Sequence, residues 1–176
     1  MKRILTPLLF FVAWLGLSSF QPDDSVANLV ADWQRAKEFT QEYLEAMPED
    51  GLDYKPTPEI RSFKEQMLHL ANGNFNFSSA ASGKENPYKG KNLEKMEEFN
   101  TKGAVTKVVL ESYDFAIAAL SGTSDADMNA NIKLFGRDMS RGVAYAKAFE
   151  HQTHHRGQAT IYIRMKGIKP PNEKLF

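Results

Sequence analysis

The stretch HQTHHRGQATIYIRMKGIKPP, His151 to Pro171, decides the reading of the fold. It closes on Gly167 with Pro170 and Pro171 just beyond, a common stop signal for a helix. Followed backward, the same helix begins near Asp138 or Ser140 and runs to Lys166. At about 100° per residue, His151, His155, Gln158 and Tyr162 fall within a sector of about 60°. Ala144 and Ala148 continue that stripe over the preceding turns. Small residues leading to two imidazoles, an amide and a phenol make a pocket wall more naturally than a packed core. Gln158 and Tyr162 are therefore candidates for lining a pocket, with ordinary helix packing as the competing reading.

Upstream, Val26, Leu29, Val30, Trp33, Phe39, Tyr43, Leu44 and Met47 recur at threes and fours from Asp24 onward, one helix face turned to a core. Pro48 stops that helix. Residues 51–60, with Pro56 and Pro58, read as a connecting loop. Ser62 followed by Glu65 has the form of a capping box and predicts a second helix from there to about Phe77. Residues 81–100 are polar and read as a long loop with one short helical turn around Leu93 to Phe99. Thr101 caps a third helix with apolar positions Val105, Val108, Val109, Phe115, Ala116, Ala119 and Leu120, ended by Gly122, Thr123 and Ser124. Residues 131–136 look extended, but no convincing pair of alternating strands is visible. The expected fold class is all-α, an antiparallel bundle of these helices.

Composition narrows the chemistry. The 176 residues contain no cysteine, which excludes a disulfide scaffold, a thiolate zinc site and an iron–sulfur cluster, so any metal depends on His, Asp or Glu. The 22 basic and 22 acidic side chains balance, and no Lys/Arg stripe is present, which argues against nucleic acid as a partner. Residues 1–19 have the layout of a secretory signal peptide: Lys2 and Arg3, an apolar run densest from Leu8 to Leu17, then Ser18 and Ser19. Cleavage near Ser19 or Phe20 is expected to leave one domain, residues 20–176, with a net charge of about −2. The expected location is periplasmic or extracellular, with no stable membrane insertion after signal removal. An uncleaved anchor is the competing reading.

Of four histidines, His151 and His155 have the His-x-x-x-His spacing that lets two imidazoles on one helix reach a single divalent ion. Rival metal motifs fail. A zincin helix needs Glu directly after its first His, and residue 152 is Gln. A di-iron site needs paired Glu-x-x-His motifs, and none occurs. His154 lies about 60° around the helix from His151 and about 100° from His155, which suits a rim position better than a ligand. On the second helix, periodicity places His69 opposite the apolar face, with Glu65, Asn72 and Asn76, as a solvated side chain. Glu65 reads as a cap partner, Glu150 as a solvated helix residue, Arg156 as a salt-bridge former and Gly157 as a site of close helix packing.

The string from His151 to Pro171 resembles the last helix of the DinB-like family of metal-binding four-helix bundles, which includes the YfiT-type proteins. RSFKEQMLHLAN, Arg61 to Asn72, is similar to that family's helix carrying a single His before an aliphatic residue and Ala, and YKPTPEIRSF, Tyr54 to Phe63, to its connecting segment. The resemblance implies a divalent ion held by His69, His151 and His155, which contradicts the periodicity at His69. It implies zinc or nickel first, with iron or manganese as alternatives. It also implies hydrolysis, or transfer involving a low-molecular-weight thiol, on a small-molecule substrate. A homodimer is a candidate assembly. Export weakens the thiol role, since such thiols belong chiefly to the reducing cytoplasm. The resemblance identifies no catalytic base. The competing readings are a bundle that binds a metal or small ligand without catalysis, and a structural dimer.

Overall fold

A computed structural model describes residues 25–176; the proposed signal segment, its cleavage site and the competing anchor lie outside the described residues. The chain is mostly helical. Four long helices follow in order: α1 (Val26–Ala46), α2 (Phe63–Ser82), α3 (Lys102–Ser121) and α4 (Arg141–Met165). α2 packs against α3 and α4, and α1 packs against the same two, so the four surround one core. No helix among the described residues is long and apolar enough to cross a membrane.

Each helix begins on a hydroxyl that relieves an orphan backbone donor. Ser25 accepts from Asn28, Thr101 from Ala104 and Ser140 from Val143. The expected capping box is formed: Ser62 Oγ accepts from the Glu65 amide while Glu65 Oε2 accepts from the Ser62 amide at 2.7 Å. α2 continues five residues past its expected end at Phe77 and stops at Gly83, whose φ of +79° gives the left-handed C-cap that suits glycine. Ser78 and Ala81 are buried, and this packing carries the helix beyond the last residue of the apolar pattern.

The core is aromatic. Trp33 of α1 meets Tyr113 of α3 and Phe149 of α4 edge-on, at centroid distances of 5.7 and 5.5 Å. Burying such a ring is worth roughly 2–3 kcal/mol, which fixes the facing of three helices at once. Beneath it runs a polar chain. Tyr113 Oη lies 2.7 Å from Thr40 Oγ1 and donates to Gln152 Oε1, and Arg156 donates to the same Gln152 oxygen at 2.7 Å. The guanidinium of Arg156 also lies over the Phe39 ring. The salt bridge expected for Arg156 is thus replaced by a buried amide acceptor and an aromatic face.

Two features depart from the sequence reading. Residues 131–140 form an antiparallel hairpin, β1 (Asn131–Leu134) and β2 (Arg137–Ser140), with Leu134 opposite Arg137. The hairpin modifies the all-α expectation. It was illegible because only Leu134 is buried, and the alternation of the four residues of β1 has no counterpart in β2. Its two-residue turn, Phe135-Gly136, has positive φ at both positions, +50° and +79°. Such turns favour Asn-Gly or Asp-Gly, and phenylalanine there costs roughly 1–2 kcal/mol. In the loop expected at residues 81–100 the one expected helical turn is two, Leu93–Lys95 and Glu97–Phe99, and the loop is not solvated throughout. Leu93 and Phe99 are buried, and Leu93–Lys95 lies against α2.

Candidate metal centre

The contact between Leu93–Lys95 and α2 resolves the conflict over His69. Periodicity counts the side of α2 away from the core as solvent, but the returning loop covers it and brings Glu94 to His69. Under that cover His69 meets the two α4 histidines: its ring centroid lies 5.2 Å from that of His151 and 4.6 Å from that of His155, and the latter two are 4.4 Å apart. One potential ligand nitrogen from each lies within 4.8 Å of the others. α4 supplies two of the three because residues four apart stack on one face.

Each imidazole is held differently. His69 Nδ1 is 2.8 Å from Glu94 Oε1, and the other carboxylate oxygen accepts from Arg61 Nε at 2.8 Å. A carboxylate on Nδ1 fixes the tautomer that leaves Nε2 with its lone pair. His155 Nδ1 is flanked by Gln66 Nε2 at 2.8 Å and Gln158 Oε1 at 3.2 Å, and the two amides contact each other. Gln158 Oε1 accepts from Gln66 Nε2 and can accept from the ring as well, so that Nδ1–H donates to it and Nε2 is free. His151 is pressed against α2 at Gly73, where a Cβ would overlap Cε1 and Nδ1 of the ring. Its Nδ1 is buried and, among the described residues, has no hydrogen-bond partner.

Burial holds two of these rings neutral. It pushes His151 down to about 4, with help from the charges of His69, His154 and Arg61. His155 falls to about 3, again chiefly through burial and then through the neighbouring histidines, against the opposing effect of a hydrogen bond to Gln158 Oε1. Neutral imidazole is the form that ligates. Three imidazoles, one with an orphaned nitrogen, fit a divalent cation bound through nitrogen with positions left for water or substrate.

The remaining candidates take nearby places. His154 is exposed, outside the cluster of three, with its ring edge on His155 at 4.9 Å and its Nε2 accepting from Gln158 at 3.0 Å. Gln158 and Tyr162 line a cleft of about 720 Å³ with Arg61, Gln66 and Glu94. Tyr162 Oη donates to the Arg61 carbonyl at 2.8 Å. A second cleft, of about 460 Å³, is lined by His69, His151, Arg61, Phe77 and Phe135. Glu150 is exposed and pairs with Lys147. The close approach assigned to Gly157 is absent, since a Cβ there meets nothing within 4 Å; close approach between α2 and α4 occurs instead at Gly73.

Sequence reasoning missed Gly73, Glu94, Gln66 and Arg61. Gly73 carried a signal, because glycine inside a helix costs roughly 0.5–1 kcal/mol relative to alanine and so calls for a reason. Gln66 is three residues before His69 and shares its helix. Glu94 carried none: it lies 25 residues from His69 in a loop, and only the fold brings them together.

Fold and site together define a mostly helical protein in which three histidines from two helices converge as a candidate metal centre. The chain belongs to the DinB family, whose profile matches residues 22–175. It is similar to the uncharacterized protein YjoA of Bacillus subtilis strain 168, at 24% identity over 145 residues, which span 80% of this chain and 90% of that protein. The fold is shared with a crystal structure of a DinB-like protein from Bacillus cereus ATCC 10987, at a TM-score of 0.73 and 19% identity, covering 85% of this chain and 98% of that one. It is shared also with the crystal structure of the B. subtilis YjoA protein, at a TM-score of 0.65 and 20% identity, covering 85% and 96% respectively.

Proposed function

We propose that this chain is an exported DinB-family protein, an antiparallel four-helix bundle that holds one divalent metal on His69, His151 and His155 and acts on a small molecule as a hydrolase or transferase. The observation that carries the metal reading is the convergence of three potential ligand nitrogens within 4.8 Å. Zinc and nickel suit an all-imidazole donor set, and iron is accepted by it too. When bound, such an ion supplies polarisation of a substrate oxygen or activation of a water. The chain's own residues do the positioning: Glu94 orients His69, Gln66 and Gln158 orient His155, and Gly73 makes room for His151. Export draws its support from the pattern of residues 1–19.

Glu94 also supports a second reading, a bundle that binds metal without catalysis. Both of its oxygens are engaged, one by His69 and one by Arg61, so this carboxylate is not free to move a substrate proton.

The deciding measurement is metal content of the purified full chain after growth with zinc, nickel, iron and manganese, beside His69→Ala, His151→Ala and His155→Ala. One metal per chain, lost in each variant, is the expected result; a wild type free of metal under all four supplements sinks the reading. A hydrolysis and transfer screen against metal-stripped protein as the blank separates catalysis from binding. Mass spectrometry of the N-terminus tests cleavage near Ser19.

A further inference from the structure

Arg61 is held at two points and left open at a third. Its carbonyl accepts from Tyr162 Oη and its Nε donates to Glu94, each at 2.8 Å, while neither Nη has a hydrogen-bond partner among the described residues. The side chain is 41% exposed and lines both clefts beside the histidines. An arginine fixed in this way presents the planar pair of donors that matches a carboxylate bidentately, without having to order itself on binding.

The opposite character occupies another part of the 460 Å³ cleft. Phe135 stands at the hairpin tip, 71% exposed, with a φ of +50°. Its ring meets Phe77 edge-on at 5.2 Å, and Phe77 lies 5.5 Å from the His151 ring. An aromatic wall therefore runs from the surface to a candidate ligand. A strained backbone that holds a large apolar ring in water points to a role for the ring outside the folded core.

We propose that this cleft binds a small organic monoanion with an apolar body: Arg61 grips its carboxylate through the two Nη groups, and Phe77 and Phe135 pack its hydrocarbon part. The assignment rests on the metal reading and names the substrate class of that centre. A carboxylate is preferred to a phosphate dianion because Glu94 lies directly against the guanidinium and repels the second charge.

The test is calorimetric titration of the full chain, zinc-loaded and metal-stripped, with phenylacetate, phenylacetamide and phenyl phosphate. Zinc-loaded wild type is expected to prefer phenylacetate to phenylacetamide by about tenfold or more, the worth of a hydrogen-bonded charge. At saturating zinc, Arg61→Gln should lose that preference and bind phenylacetate no better than phenylacetamide, and Arg61→Lys should keep part of it. Phe135→Ser should weaken phenylacetate and phenylacetamide alike. Retention of the full preference in Arg61→Gln, tighter binding of phenyl phosphate than of phenylacetate, or no binding of phenylacetate to either form overturns the inference. If wild type takes up no zinc, the metal reading fails separately, and an Arg61-dependent preference in the metal-free protein still supports the anion cleft.

Discussion

The ring of His151 lies against Gly73, and a Cβ at position 73 would overlap two of its atoms. Ordinarily Gly→Ala inside a helix stabilises by roughly 0.5–1 kcal/mol. Here the methyl group displaces a half-buried imidazole already bounded by His69, Phe77 and His155. Gly73→Ala is expected to weaken zinc binding by about tenfold or more while leaving the helical circular dichroism intact. Competition with a chromophoric chelator measures the affinity; an unchanged value would show that the ring does not need its place beside Gly73.

Glu94 is the residue through which loop and helix meet at the site. Its Oε1 lies 2.8 Å from His69 Nδ1, and its side chain is largely buried. Glu94→Ala is expected to lower metal affinity by about 10- to 100-fold, the usual scale for loss of a partner behind a ligating histidine. Glu94→Gln keeps an acceptor oxygen but loses the charge, and should fall between wild type and alanine. Equal affinities in all three proteins would remove Glu94 from the support of the site.

How much of this was legible depended on whether local pattern or long-range return set the feature. The helix starts at Ser62, Thr101 and Ser140 follow from chemistry within three residues, and the His151–His155 pair follows from helical geometry alone. His69 was misplaced by periodicity because a wheel assigns every polar side to solvent, whereas the chain around Leu93 folds back over this one. Its pairing with the α4 histidines was available only through the resemblance. The hairpin escaped because β2 buries none of its residues fully. Arg156 escaped because its partner is a neutral amide four residues away on the same helix.

The two buried histidines give the metal-free protein an acid sensitivity whose sign is fixed. Their folded-state values, about 4 for His151 and about 3 for His155, lie below the unfolded value near 6.5. The unfolded chain therefore takes up these protons first, and stability is lost as pH falls from about 6.5 toward the folded values. Above that window the two contribute nothing to the pH dependence. Urea unfolding of metal-stripped protein between pH 7.5 and 5 should show this decline, at no more than about 1.4 kcal/mol per pH unit for each histidine. His151→Gln/His155→Gln should flatten it. A decline as steep in the double variant would place its origin elsewhere.

Gln152 and Arg156 form the interior polar contact whose two halves are unequal. Arg156 is 8% exposed, its strongest bond is the 2.7 Å donation to Gln152 Oε1, and its other acceptors, Ala36 O and Thr40 Oγ1, stand at 3.4 and 3.5 Å. Gln152→Leu removes that acceptor and leaves a largely buried cation with only the distant ones, a loss of about 2–3 kcal/mol. Arg156→Met removes the cation itself, keeps an apolar stem against Phe39, and leaves Gln152 Oε1 still bonded to Tyr113 at 2.9 Å. It should therefore cost less than Gln152→Leu, by about 1 kcal/mol. Urea unfolding at pH 7.5 compares the two directly, and the reverse order would mean that the guanidinium contributes more through the Phe39 ring than through the amide.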